Sequence, residues 1–163
     1  MDVLRITLDE QRCTFRIGDG ELATPLGTAV LGAQLTSDPP RPDELSNAIG
    51  EVHDALDDVL RELPASAAAT TVELSGPAMT AIADVELGAT AALPFELHHD
   101  DAEDVFRTVA TERLADRARN PGLPPAQLDA IVAAGCVLVG VMRRLRLDLV
   151  QIVDPSPGQD HPS

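Results

Sequence analysis

The sequence contains no tryptophan, no tyrosine and no lysine, and only three phenylalanines among its 163 residues. Proteins that hold single-stranded nucleic acid stack its bases on aromatic side chains, so this composition argues against such a platform. The 27 acidic residues outnumber 12 basic residues and give a formal net charge of -15. A surface of that sign repels polyanions, and we expect no nucleic acid partner.

Cysteine is scarce as well. Cys13 and Cys136 stand in apolar surroundings without the short spacing of a metal or redox motif. We therefore expect two reduced, buried thiols and a cytoplasmic protein. The N-terminus lacks the regions of a signal peptide, and no apolar run reaches the length of a membrane span, so no membrane contact is expected.

Hydrophobic residues make up 44% of the chain, mostly leucine, valine, isoleucine and alanine. This length and composition predict one domain with its own core, over residues 1–154. Residues 155–163 are rich in proline and polar residues and are predicted to be a disordered tail.

Apolar residues alternate over 3–8 and again over 13–17, which predicts a β-hairpin. After the turn Gly18-Asp19-Gly20, residues 25–35 are predicted to form a third antiparallel strand near an edge of the sheet, because Pro25 lacks a backbone donor. The further predicted elements are an amphipathic helix from Pro42 to before Pro64, a strand over 70–74, a helix over 78–85, a helix capped by Asp100 and Asp101 that ends before Asn120, a buried helix from Pro125 to about Leu145, and a strand over 147–153.

Four short strings mark this order of elements: Gly18-Asp19-Gly20, Pro25-Leu26-Gly27, Asp38-Pro39-Pro40-Arg41-Pro42-Asp43-Glu44-Leu45, and Asp129-x-Ile131-Val132-Ala133-x-Gly135. In order and spacing they resemble the C-terminal half of the exopolyphosphatase and guanosine-pentaphosphate phosphohydrolase (Ppx/GppA) family. The resemblance covers about residues 3 to 154. It implies an α/β, ribonuclease H-like half-domain of the actin-like ATPase superfamily, in which a mixed sheet with an antiparallel three-strand start packs against helices.

Two loops of that family hold phosphate, and their motifs are degenerate here. A loop of the form Asp-x-Gly-Gly-Gly-Ser corresponds to residues 7–12, and one of the form Gly-x-Gly-Gly-Thr corresponds to residues 74–78. The resemblance therefore gives as weak ligand-binding candidates Thr7, Arg12, Ser75 and Gly76. Glycines let a backbone approach phosphate with free amides, whereas Pro77 cannot donate one.

The acidic pair Asp9 and Glu10 stands in the first loop and would add negative charge where the family binds phosphate. The family's closing Gly-x-Arg motif is not found after Val153, and we expect no counterpart of its first half, which carries the catalytic glutamate. No catalytic residue, metal ligand or cofactor is predicted, and Mg²⁺ is implied only if a phosphate site persists.

Two other clusters allow a ligand interpretation and a structural one. The run His98-His99-Asp100-Asp101 has metal-binding residue types, but adjacent histidines in a strand point to opposite faces and the aspartates suit a helix start. The arginines Arg143, Arg144 and Arg146 could bind an anion, although basic residues are also expected at the C-terminal end of a helix. The structural interpretation is preferred for both clusters.

Three hypotheses for function follow. The preferred one is a non-catalytic domain that acts in assembly or regulation, as a homo-oligomer or with a partner protein in place of the family's N-terminal half. The second is a subunit of a split phosphohydrolase that acts on polyphosphate or guanosine pentaphosphate. The third is a regulatory domain that binds a small ligand in a modified cleft.

Overall fold

The computed structural model describes residues 2–155, and the predicted tail beyond Pro155 lies outside this range. Its strands are β1 (Val3–Leu8), β2 (Cys13–Ile17), β3 (Gly20–Thr24), β4 (Thr71–Ser75), β5 (Phe95–His98) and β6 (Leu149–Ile152). Its α-helices are α1 (Thr28–Gly32), α2 (Pro42–Glu62), α3 (Pro77–Leu87), α4 (His99–Thr111), α5 (Leu114–Arg117) and α6 (Ile131–Leu145). Short 3₁₀ turns cover Pro64–Ala68 and Pro125–Gln127.

The six strands form one mixed sheet in the order β3-β2-β1-β4-β6-β5. β1, β4 and β6 run parallel at its centre, while β2 and β3 continue from β1 as an antiparallel meander. The predicted antiparallel three-strand start and mixed α/β sheet are therefore confirmed. β5 closes the other edge, antiparallel to β6.

Helix α6 lies at the centre of the helical layer. Its residues from Ile131 to Met142 are all buried, and it packs against α1, α2, α3 and α4. The near-continuous apolar sequence of this segment predicts such a central position, because a helix surrounded by protein needs no polar face. Cys136 lies in this helix, and both cysteines are free and buried, as predicted.

The prediction of a strand over residues 25–35 is wrong. The two-residue turn Gly18-Asp19 leads directly into β3, and Thr28–Gly32 forms the short helix α1 instead. Gly18 has a φ of 56°, the left-handed conformation that a tight hairpin requires and that glycine adopts without strain. A short apolar run such as Ala29 to Leu31 fits either a strand or a buried helical turn, and packing decided for the helix.

The region around β5 also differs from the prediction. Strand β5 was not predicted, and α4 begins at His99 with His98 at its N-cap position. Asp100 and Asp101 lie in the first turn of the helix rather than at its cap, where their charge still favours the positive end of the helix dipole. The last predicted helix begins later than expected, at Ile131.

Candidate functional site

Thr7 and Ser75, both predicted from the phosphate loops, come together at the carboxyl ends of two central strands. They are register partners in the parallel pair β1 and β4. Their hydroxyl oxygens lie 3.2 Å apart, at hydrogen-bond distance, and Ser75 is buried. The two hydroxyls are therefore hydrogen-bonded to each other at the place where the resemblance puts phosphate contacts.

The loop between β1 and β2 is closed by one of its own carboxylates. Oδ1 of Asp9 accepts hydrogen bonds from the backbone amides of Gln11 and Arg12, both at 2.7 Å. The amide of Asp9 in turn donates to the carbonyl of Arg12 at 3.0 Å. The amides that a glycine-rich loop would present to phosphate are thus bound to a carboxylate of the chain itself.

Gly76 lies where the backbone before α3 closely approaches the end of β1. Its φ is 125°, and a Cβ atom at this position would stand 2.1 Å from the carbonyl oxygen of Leu8. The glycine is therefore required by backbone packing and by conformation, independently of any ligand. The helix that follows begins with Pro77, which has no amide hydrogen to offer.

Helix α1 rests on the same β1–β2 loop. The amides of Thr28 and Ala29 donate to the carbonyls of Asp9 and Glu10, each at 3.0 Å. Gly27 allows this contact, because a Cβ atom there would lie 2.2 Å from the carbonyl oxygen of Glu10. Two further backbone donors beside the loop are therefore consumed within the chain.

A cleft of about 660 Å³, here called the loop cleft, opens beside these segments. Its lining comprises Leu8, Asp9, Glu10, Gln11, Thr28, Ala29, Pro77, Ala78, Ala126, Gln127, Asp129 and Ala130. Three of these side chains are carboxylates and none is basic. Arg12, the only cation among the predicted site residues, is exposed and lies outside this lining. The loop cleft is consequently electronegative, which opposes the binding of phosphate.

The solved structures that this chain resembles include exopolyphosphatases and Ppx/GppA phosphatases. The chain superimposes on an exopolyphosphatase-like protein with a TM-score of 0.87, at 18% identity and over 94% of this chain and 55% of the other. The chain has the Ppx/GppA fold. A Ppx/GppA phosphatase of Aquifex aeolicus gives a TM-score of 0.83 at 15% identity, and an exopolyphosphatase of Cytophaga hutchinsonii gives 0.74 at 17% identity; each match covers 94% of this chain and 53% of the other.

The resemblance predicted from the sequence is thus confirmed in the fold. The chain spans about half the length of these Ppx/GppA structures. No protein-family model matches the sequence, and no curated protein matches it significantly.

Two of the three arginines at the end of α6 of this Ppx/GppA-like chain, Arg143 and Arg144, are engaged in ion pairs. Arg143 binds both carboxylate oxygens of Glu103 at 2.7 and 2.8 Å, and Arg144 donates twice to Asp57. The hydrogen bond from Arg143 lowers the pKa of Glu103. These contacts favour the structural interpretation of the two arginines over an anion site.

The histidine pair does not gather around a common point. His98 ends β5 beside Glu96, whereas His99 starts α4 and faces Asp100 and Glu103 at 3.3 and 3.5 Å. Within residues 2–155 no group of three or more histidine, cysteine, aspartate or glutamate side chains is placed to hold a metal ion. The same part of the chain contains no helix long and apolar enough to cross a membrane.

Sequence reasoning missed Thr28 and Asp129 as residues of the loop cleft. Thr28 fell inside the wrongly predicted strand, and Asp129 lies far along the chain, before α6. Sequence reasoning also missed Arg117, a buried arginine whose guanidinium donates to three backbone carbonyls, of Val109, Glu112 and Leu128. Arg117 ties together the segment that brings Asp129 to the cleft, and no local pattern signals such a contact.

Proposed function

We propose that this chain is a non-catalytic Ppx/GppA-like domain that acts in assembly or regulation. The observation that carries the proposal is the hydrogen bonding of Asp9, whose carboxylate takes up the amides of Gln11 and Arg12. Phosphoryl transfer depends on donors aimed at the phosphoryl oxygens, and those of this loop already have an acceptor. To bind there, a phosphate would have to displace the carboxylate of Asp9, which belongs to the same turn.

The charge of the loop cleft supports the same conclusion. Asp9, Glu10 and Asp129 line it without a basic side chain, so a phosphate ester would meet repulsion from three directions. Phosphatases normally overcome this repulsion with arginine, lysine or a divalent metal ion near the transferred group. The carboxylates are too dispersed to form a metal cluster among residues 2–155.

An assembly role requires a surface that a partner can cover, and the loop cleft is a concave surface of this kind. We propose that a second copy or a partner chain lies against the loop cleft, where the helix starts and strand ends converge. Sedimentation equilibrium tests the first arrangement, because a dimer or larger oligomer is expected if a second copy serves, and a monomer would point to a different partner chain.

The alternative is a subunit of a split phosphohydrolase that acts on polyphosphate or guanosine pentaphosphate, and the fold favours it as a second candidate. Isothermal titration calorimetry with each of these compounds, at low salt and with Mg²⁺, separates the two functions. The non-catalytic proposal expects no binding heat. Affinity in the micromolar range or tighter would overturn it and favour the split enzyme.

Asp9→Gly provides the matched variant for this titration. It removes the carboxylate that occupies the amides of Gln11 and Arg12 and restores a residue typical of a phosphate loop. We expect Asp9→Gly to gain weak phosphate binding that the unchanged chain lacks. Equal heats from both proteins would show that Asp9 is not what keeps phosphate out.

A further inference from the structure

The open edge of the sheet at β3 lies beside a row of carboxylates, away from the residues of the loop cleft. A groove of about 510 Å³, here called the edge groove, runs between this strand and α2. It is lined by Leu22, Ala23, Thr24, Pro25, Leu26, Glu51, Asp54, Ala55, Asp58 and Glu62. Four of these side chains are carboxylates and none is basic.

The carboxylate row runs alongside the edge strand. A side chain at Gly20 would meet Leu63 at 2.6 Å, so the start of β3 lies beside the end of α2. Residues 22–26 line the groove together with the carboxylates of α2. Glu51 and Glu62 are separated by about 16 Å along the helix axis. A strand of five residues, the length of β3, also spans about 16 Å.

The backbone of β3 has donors and acceptors that the sheet does not use. Among residues 2–155 its only neighbouring strand is β2, and the hairpin between them closes on the register pair Ile17 and Gly20. Such a pair is hydrogen-bonded in a two-residue hairpin, and hydrogen-bonded and open pairs then alternate along the strands. Glu21 and Ala23 therefore direct their N–H and C=O groups away from β2, toward the open edge.

We infer that the edge groove binds an extended, basic segment of a partner protein, which adds to the sheet as a seventh strand beside β3. The partner backbone pairs with Glu21 and Ala23, and its alternate lysine or arginine side chains reach the carboxylates of α2. A spacing of two residues along a strand, about 7 Å, sets successive basic residues along the row of acids.

The charge of the groove also selects against a second copy of this chain. Pairing two β3 strands would bring two carboxylate rows together, and like charges at close range oppose association. Within the groove, Asp58 is bridged by Arg61 of the same helix and Glu51 accepts a hydrogen bond from Gln34. Both contacts are exposed, and a partner's cation can replace them.

The test uses a fluorescent peptide of alternating sequence, Lys-Thr-Lys-Val-Lys-Thr-Lys, titrated with the full chain at low salt and followed by anisotropy. We expect saturable binding of this peptide, because main-chain hydrogen bonds supply the affinity in strand addition. A peptide with proline at its centre and one with glutamate in place of lysine should both fail to bind. Absence of binding by the lysine peptide overturns the inference.

Two pairs of variants identify the surface. Asp54→Asn with Asp58→Asn should weaken the peptide by about tenfold, because both charges face the groove. The control, Asp100→Asn with Asp104→Asn, makes the same change in charge on α4, at positions with the same spacing. The two pairs also match in their ion pairs, because Asp104 binds Arg107 as Asp58 binds Arg61. An equal loss in both double variants would mean attraction to net charge alone and would overturn the inference.

The backbone contact has its own control. Ala23→Pro removes one outward donor without removing a hydrogen bond to β2, and proline is tolerated on edge strands. Ala23→Thr keeps the donor. We expect weaker peptide binding in the proline variant alone, with both variants showing the circular dichroism of the unchanged chain. Unchanged affinity in Ala23→Pro would overturn the pairing at β3.

Discussion

The loop cleft and the edge groove are both acidic and of similar size, about 660 and 510 Å³, but their backbones are in different states. At the loop cleft, the amides of residues 11, 12, 28 and 29 are all bound to acceptors of the chain. At the edge groove, no strand in the described part of the chain pairs with the outer side of β3. The difference indicates that acidic charge opposes anionic ligands such as phosphate at both places. Backbone groups that are free to pair are what an added strand requires.

The largest expected effect comes from Gly76→Ala, next to Pro77 of the loop cleft. The new Cβ atom would stand 2.1 Å from the carbonyl oxygen of Leu8, and a φ of 125° is unfavourable for alanine. We expect a loss of about 3 kcal/mol or more in the free energy of unfolding, measured in urea. Gly50→Ala is the control, because a Cβ atom there meets nothing within 4 Å and should stabilise α2 by up to about 1 kcal/mol. Similar results for both variants would remove the steric argument for Gly76.

The next effect concerns Glu44, whose carboxylate accepts hydrogen bonds from backbone amides as that of Asp9 does, but from more of them. Its buried carboxylate accepts from the amides of Thr36, Ser37 and Arg41 and from the hydroxyl of Thr36, and these bonds lower its pKa to about 2. A lowered pKa in the folded state stabilises the fold above the usual value of 4.5. That contribution is lost as the pH falls from 4.5 toward 2.

The measurement is urea unfolding of the unchanged chain and of Glu44→Gln across this pH range. The variant should be less stable at neutral pH, and the difference should shrink as the pH approaches 2. Glu51→Gln, on the exposed side of the same helix, serves as the matched control and should change little. A difference between the chain and Glu44→Gln that stays constant with pH would contradict the assignment of this carboxylate as the acceptor.

The sequence predicted more of the fold than of the site because the fold has local signals. The alternation in β1 and β2 and the proline start of α2 mark those elements directly. The edge strands β3 and β5 were misplaced or missed, since both are short and their burial depends on distant partners. Asp9 was predicted only to add negative charge. In the structure its hydrogen bonds to the amides of Gln11 and Arg12 set the shape of the turn.

The family resemblance named Thr7 and Ser75 as candidates in two separate loops, and the parallel pairing of β1 and β4 brings their hydroxyls together. No comparable route led to Asp129, which reaches the loop cleft from a segment tied down by the buried Arg117. Contacts of this kind depend on the tertiary arrangement and cannot be found from spacing along the chain.

A smaller effect is expected from Asp9 itself. Asp9→Ala removes the acceptor of two amides and should destabilise the fold by about 1 kcal/mol, as the loss of a capping side chain does. Asp9→Asn keeps a carbonyl oxygen at the same place and should retain most of the stability. Thermal unfolding of the three proteins measures the order. Equal losses in the two variants would show that charge, rather than the hydrogen bonds, is what the turn requires.

The smallest effect tests whether the cations of the chain are available to an anionic ligand. Arg144 donates twice to Asp57, but both side chains are about half exposed, and exposed ion pairs contribute little to stability. Arg144→Ala should change the free energy of unfolding by less than about 1 kcal/mol. The variant should also give the same binding heat with polyphosphate as the unchanged chain, because the guanidinium of Arg144 already has a carboxylate partner. A binding heat with polyphosphate that is present in the unchanged chain and lost in Arg144→Ala would place an anion site at the end of α6, far along the chain from the degenerate loops. It would also show that donors with a partner in the chain can still bind an anion.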